Sequence, residues 1–245
     1  MTMHRFLLPF LALGILLAPP AFGFFDVLDD LQQELTEEES SNPLDLDDLI
    51  NELEQTTEQS DITFTDVPAS AWYYDAVYIV ARHGVVSGYK DANGNPTGQF
   101  GPGNPVTIAE ILKMAYEAAG QNITLCKQTV RLPQAASHWA GPYVACAEED
   151  GMRVLGTQPD LNRGAMRAEV IAIIHDAFRE QVPSGRSPFA DTAGHPYEAD
   201  IAYASIMGVV SGDNDPNGLP TGTFRPNDGI NRAEAAQVIS KMLSL

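Results

Sequence analysis

Residues 64–110 of this chain are written a second time, with one deletion, as residues 189–234. FTDVPASAWYYDAVYIVARHGVVSGYKDANGNPTGQFGPGNPVTIAE returns as FADTAGHPYEADIAYASIMGVVSGDNDPNGLPTGTFRPNDGINRAE. Phe64 and Asp66 match Phe189 and Asp191 at an offset of 125, and Gly84, Gly88, Phe100, Pro102 and Glu110 match Gly208, Gly212, Phe224, Pro226 and Glu234 at 124. Such a repeat restricts the fold strongly: each copy is one small module, too short to bury its own apolar face, so the copies must share a core.

An eroded copy lies between them. Trp139 and Gly151 follow Trp72 and Gly84 by 67 residues, while Ala168 and Glu169 follow Ala109 and Glu110 by 59. The middle copy has therefore lost eight residues from one loop, and RLPQAASHW replaces its aromatic-x-Asp opening. We assign residues 62–122, 130–182 (degenerate) and 186–245 to the three units.

Each copy reads as two helices around a turn-rich loop. Residues 71–82 are rich in Trp, Tyr, Ala, Val and Ile, and Gly84 stands where a left-handed cap would end a helix. Asn-Gly, Pro and Gly signals fill the following loop. Thr107-Ile-Ala-Glu110 and Asn231-Arg-Ala-Glu234 have the form of capping boxes that open a second helix. Met166 holds the cap position in the middle copy, so that helix end is expected to be the weakest. The predicted architecture is mainly α, with little or no sheet.

The N-terminus has the form of an export signal over residues 1–23. His4 and Arg5 precede an apolar stretch at 6–18, and Ala21-Phe22-Gly23 offers small residues for cleavage. An uncleaved anchor is the alternative; no other stretch has the length to cross a bilayer. Residues 24–61 form an acidic linker or docking segment. Residues 26–61 hold 14 Asp and Glu and no Lys or Arg, whereas residues 62–245 are only mildly acidic. Leu28, Leu31 and Leu35 share one helical face there, and Leu46, Leu49, Ile50 and Leu53 another. A chain this acidic has no electrostatic footprint for nucleic acid. Cys126 and Cys146 are the only cysteines, and the exported context favours a disulfide between them over two buried thiols.

These features resemble the S-layer homology domain, which typically occurs as three tandem copies. The resemblance rests on FTDV, Trp72, GVVSG, FGP and TIAE in the first copy, on FADT, GVVSG, FRP and NRAE in the third, and on Trp139 and MRAE in the middle. It implies a pseudo-trimeric spindle that holds a secreted protein to the bacterial surface by binding cell-wall polysaccharide. On that reading Arg167 and Arg232, at the first position of a second helix, face an anionic sugar beside unpaired N–H groups. Trp72, Trp139, Asp66 and Asp191 are the neighbouring candidates. Core packing is the competing role for each tryptophan, and an ion pair for each arginine. Ile108 replaces the arginine in the first copy, and Tyr197 is placed near the tryptophan position of the third.

Catalytic chemistry is not expected. GVVSG has the wrong spacing for a nucleophile elbow, and His83, His138, His175 and His195 show no ligand spacing. Asp213-x-Asp215-x-Asn217-Gly218 begins like a calcium loop, but its twelfth position is Phe224 rather than a glutamate. No enzyme activity, metal or cofactor is therefore predicted. The rival to glycan anchoring is a structural adaptor whose acidic segment docks another envelope protein.

Overall fold

Three residues at equivalent positions, Val106, Ala165 and Ile230, bond to one another in a closed triangle. Val106 N–H donates to Ile230 O at 3.1 Å, Ile230 N–H to Ala165 O at 3.3 Å, and Ala165 N–H to Val106 O at 2.7 Å. All three are buried. The computed structural model describes residues 62–245. The export signal and the acidic segment proposed for 1–61 lie outside them.

Among the described residues six α-helices stand around this triangle: α1 (Tyr74–Arg82), α2 (Ile108–Ala118), α3 (Gly141–Glu149), α4 (Arg167–Phe178), α5 (Glu198–Ile206) and α6 (Arg232–Met242). Among the described residues there are isolated β-bridges and no strands. The mainly α architecture read from the sequence is the observed one. At 9–12 residues the helices are too short to persist alone. They pack as pairs drawn from different segments: α2 with α3, α4 with α5, and, joining the last segment to the first, α6 with α1. The second helices α2, α4 and α6 also touch one another. Ile111, Leu112, Ile173, Ile174 and Ile239 carry the shared core between them.

Local chemistry follows the sequence closely at the helix ends. Thr107 Oγ1 accepts from Glu110 N–H at 3.2 Å, and the Glu110 carboxylate accepts from Thr107 N–H at 2.8 Å. Asn231 and Glu234 repeat this at 2.9 and 3.0 Å. Met166 contributes no cap side chain, although Glu169 still accepts from its amide at 2.9 Å. The first helix begins at Tyr74 rather than at residue 71, because the Tyr74 amide closes a turn onto Ala71 O. The final glycine of each GVVSG turn is required by contact as well as by conformation. Gly88 has φ +75°, and a Cβ there would lie 2.7 Å from Gln99 O and 2.8 Å from the Phe64 ring. The opening aromatic of the repeat packs on that bare backbone.

Cys126 and Cys146 form a disulfide that ties the connector after α2 to helix α3. Closing a loop of this length stabilises a fold by about 3 kcal/mol in the chain-entropy picture.

Candidate functional site

Each second helix starts inside a loop of another segment. Ile108 and Ala109 donate their amides to Arg163 O and Leu161 O of the middle segment, at 3.1 and 3.0 Å. Arg167 and Ala168 donate to Asp228 O and Pro226 O of the third, at 2.9 and 3.1 Å. Arg232 and Ala233 donate to Asn104 O and Pro102 O of the first, at 2.9 and 3.1 Å. The exchange runs first to middle, middle to third and third to first. It also changes the expected chemistry: the N–H groups that an anion was to meet already have carbonyl partners.

The arginines at these junctions bridge two segments. Arg232 Nε donates to Phe100 O at 2.9 Å, its Nη1 lies 3.3 Å from Glu110, and its guanidinium is 4.8 Å from the Tyr89 ring and 5.0 Å from that of Phe100. Arg167 repeats the pattern on Phe224 O at 2.9 Å, Glu234 at 3.5 Å and the Phe224 ring at 4.8 Å. Both side chains are largely covered, 7% exposed for Arg232 and 14% for Arg167. Each pairs with the capping-box glutamate of another segment. Ile108 breaks the series and is fully buried. Glu169 is met instead by Arg163 of its own segment, at 2.6 and 2.8 Å.

The aspartates organise the loops that receive these arginines. Asp66 accepts from the amides of Phe100 and Gly101 at 2.8 and 2.7 Å. Asp191 accepts from those of Phe224 and Arg225 at 2.9 and 2.7 Å. The middle segment, without an opening aspartate, uses Gln134, which accepts from Leu161 N–H at 3.3 Å and donates to Pro159 O at 2.7 Å.

Trp72 and Trp139 are 65% and 55% exposed, so neither serves the core. Tyr197 stands next to the tryptophan position of the third segment, one place after it. It precedes α5 as Tyr73 precedes α1 and Ala140 precedes α3, which leaves Pro196 at the tryptophan position. The Asp-x-Asn-Gly loops are turns: Asp215 accepts from Asn217 and Leu219 N–H, and Asp91 from Asn93 and Asn95 N–H. Those backbone hydrogen bonds hold both carboxyls below the ordinary aspartate range. Among the described residues, no group of three or more His, Cys, Asp or Glu is placed to hold a metal.

Sequence reading missed two histidine clasps. His138 Nε2 lies 3.1 Å from Asn162 Oδ1, and its Nδ1 accepts from Ala140 N–H at 3.1 Å. His195 makes the same pair of bonds with Asn227 and Tyr197 N–H, at 3.2 and 3.1 Å. Asn162 and Asn227 each sit between the two carbonyls that receive another segment's helix. The equivalent first-segment residues are Ala71 and Gly103. That linked appearance of His and Asn was the available signal.

Residues 63–111 and 188–236 match the profile of the S-layer homology domain. A protein of Bacillus anthracis named an uncharacterized cell wall amidase is 27% identical over 73% of this chain and 32% of its own length. The S-layer protein sap of the same organism is 25% identical over 73% of this chain and 21% of its own length. The middle cell wall protein of Brevibacillus brevis is 23% identical over 72% and 16%. The chain thus spans a third or less of these curated relatives. Together the matches indicate a secreted protein of the cell surface or cell wall. No helix among the described residues is long and apolar enough to cross a membrane.

Proposed function

We propose that this chain is a non-enzymatic anchor: three tandem S-layer-homology repeats, arranged as a pseudo-trimeric spindle, that bind cell-wall polysaccharide at their junctions. The cyclic exchange of backbone hydrogen bonds supports the spindle, because equivalent atoms of the three segments meet in one rotational order. A single observation carries the binding reading. Among the described residues every buried side-chain polar atom has a partner. Arg232 and Arg167 meet the protein through Nε and Nη1 in the contacts described above, which use two of the five N–H donors of a guanidinium. A guanidinium fixed between an aromatic ring and a carboxylate, with more donors than those contacts use, suits an acidic sugar. Trp72 and Trp139 supply exposed rings of the kind that cover the apolar face of a sugar. Asp66 and Asp191 act by holding the loops.

Pelleting tests this. The purified chain is expected to sediment with native cell-wall sacculi and to stay in solution with sacculi stripped of their secondary polysaccharide by hydrofluoric acid. Failure to pellet with native walls, or equal pelleting with stripped ones, overturns the reading.

A further inference from the structure

Each first helix ends on a glycine in the left-handed region: Gly84 at φ +71°, Gly151 at +72° and Gly208 at +74°. These glycines align the three helix ends, so the two residues before them are equivalent. They are Arg82-His83 in the first segment, Glu149-Asp150 in the middle one and Ile206-Met207 in the third. All six are exposed.

A helix end that faces water calls for polar residues, and two segments supply them. In the middle segment Glu149 accepts from Lys127 N–H at 2.8 Å, and Asp150 from Tyr116 Oη at 2.7 Å. The third segment breaks the rule. Ile206 is 78% exposed and Met207 38%, and neither belongs to the core. One exposed apolar side chain is ordinary on a protein surface. Two in succession, where the other segments are polar, mark a surface kept for contact.

Charge is arranged about this pair in a line. One turn before Ile206, Tyr203 Oη donates to Glu180 Oε2 at 3.1 Å, which draws a carboxylate to that side. Just after Met207, Gly208 O accepts from Lys241 Nζ at 3.3 Å, which holds an ammonium on the other. Leu245, four residues after Lys241, adds an exposed apolar side chain beyond the end of α6. The strip thus runs carboxylate, apolar pair, ammonium. A two-fold axis through the apolar pair turns that order onto its own complement: Glu180 of one copy meets Lys241 of the other, twice.

We propose that the end of α5 is a self-association surface, through which two copies of this chain pair as a symmetric dimer. A surface for an unrelated partner has no need to be its own complement. The junctions between segments stay free in such a dimer. The starts of α4 and α5 lie at a junction, through Arg167 and His195, and the nine residues of α5 set Ile206 about 13 Å further along. A dimer therefore presents two sets of junctions, and retention on one surface gains as it does for any two linked sites. The pairing itself stands independently of what the junctions bind.

Sedimentation velocity on the full chain tests this. A strip this narrow buries less than a standard interface, so a weak dimer is expected, half formed at about 100 µM. Salt at about 0.15 M is needed, because the formal charge of −19 otherwise drives two copies apart. Ile206→Arg with Met207→His places there what the first segment carries at the same helix end, and should weaken pairing by about tenfold or more. Glu180→Lys and Lys241→Glu should each set like charges opposite one another and give monomers. An equal mixture of these two variants should dimerise again, since every facing pair is then of opposite sign, a gain that misfolding cannot mimic. Three results each overturn the proposal: an unaltered chain still monomeric at about 1 mM, a dimer undiminished by Ile206→Arg with Met207→His, or a mixture no more associated than its components.

Discussion

Arg153 reaches from the middle segment to two carboxylates, Asp176 and Asp200, each at 2.7 Å, and His175 Nδ1 approaches Asp200 at 3.1 Å. Burial alone would push the Asp200 carboxyl up. Hydrogen bonds from His175 and Arg153 outweigh it and hold the group below its ordinary range. A depressed carboxyl stabilises the fold above its unfolded pKa of about 3.9, and that contribution is lost as pH falls through the folded value. Asp200→Asn should therefore cost about 2 kcal/mol at pH 7, with the difference from wild type shrinking towards pH 3. Urea unfolding at the two pH values measures it; a constant difference would mean the carboxylate charge is not what matters. Neither Asp200 nor Arg153 was legible in the sequence as a partner. The equivalent positions in the first segment are Ala76 and Val86, so comparison of copies offered nothing to align. The roles of Asp66 and Asp191 were hidden differently. Their recurrence was plain, but which backbone they hold, some 35 residues on, depends on the tertiary path of the loop.

Helices were the most readable level of the fold. The capping boxes at Thr107 and Asn231 depend on residues three apart, and a local rule of that kind transfers directly from sequence to structure. Thr107→Ala should lower stability by about 1 kcal/mol, and Met166→Thr, which supplies the missing cap oxygen, should raise it by about the same amount. Thermal unfolding of the two variants checks both signs. The anion-binding potential of the helix starts was misjudged for a long-range reason. Periodicity locates the first amides of α4 and α6, but it cannot say that Pro226, Asp228, Pro102 and Asn104 bring carbonyls to them. The 3-10 turns at Pro133–Ser137 and Arg153–Thr157 also went unread, as both lie where the middle segment departs in sequence from the other two.

Across the molecule, stability belongs to the cycle more than to any one segment. Removing residues 186–245 would deprive the Val106, Arg167 and Ala168 amides of their acceptors and uncover the face of α1 that α6 protects. An open stack of repeats tolerates loss of an end copy. Here the shortened chain is expected to lose cooperative unfolding and near-ultraviolet dichroism altogether; a sharp transition in residues 1–185 would refute this. Repetition announced from the sequence that the copies share a core. It left open whether they run on as a line or return on themselves, because the 3-to-1 contacts join residues more than 120 positions apart.

The Val106–Ala165–Ile230 triangle bears on how such a chain responds to force. In a linear array, tension on one terminus peels repeats away singly, each at its own modest threshold. With the last segment bonded to the first, a tug on either side is carried by the α6–α1 seam and the triangle together. The assembly should hold to a higher load and then give way in one event, as a latch does and a zip does not.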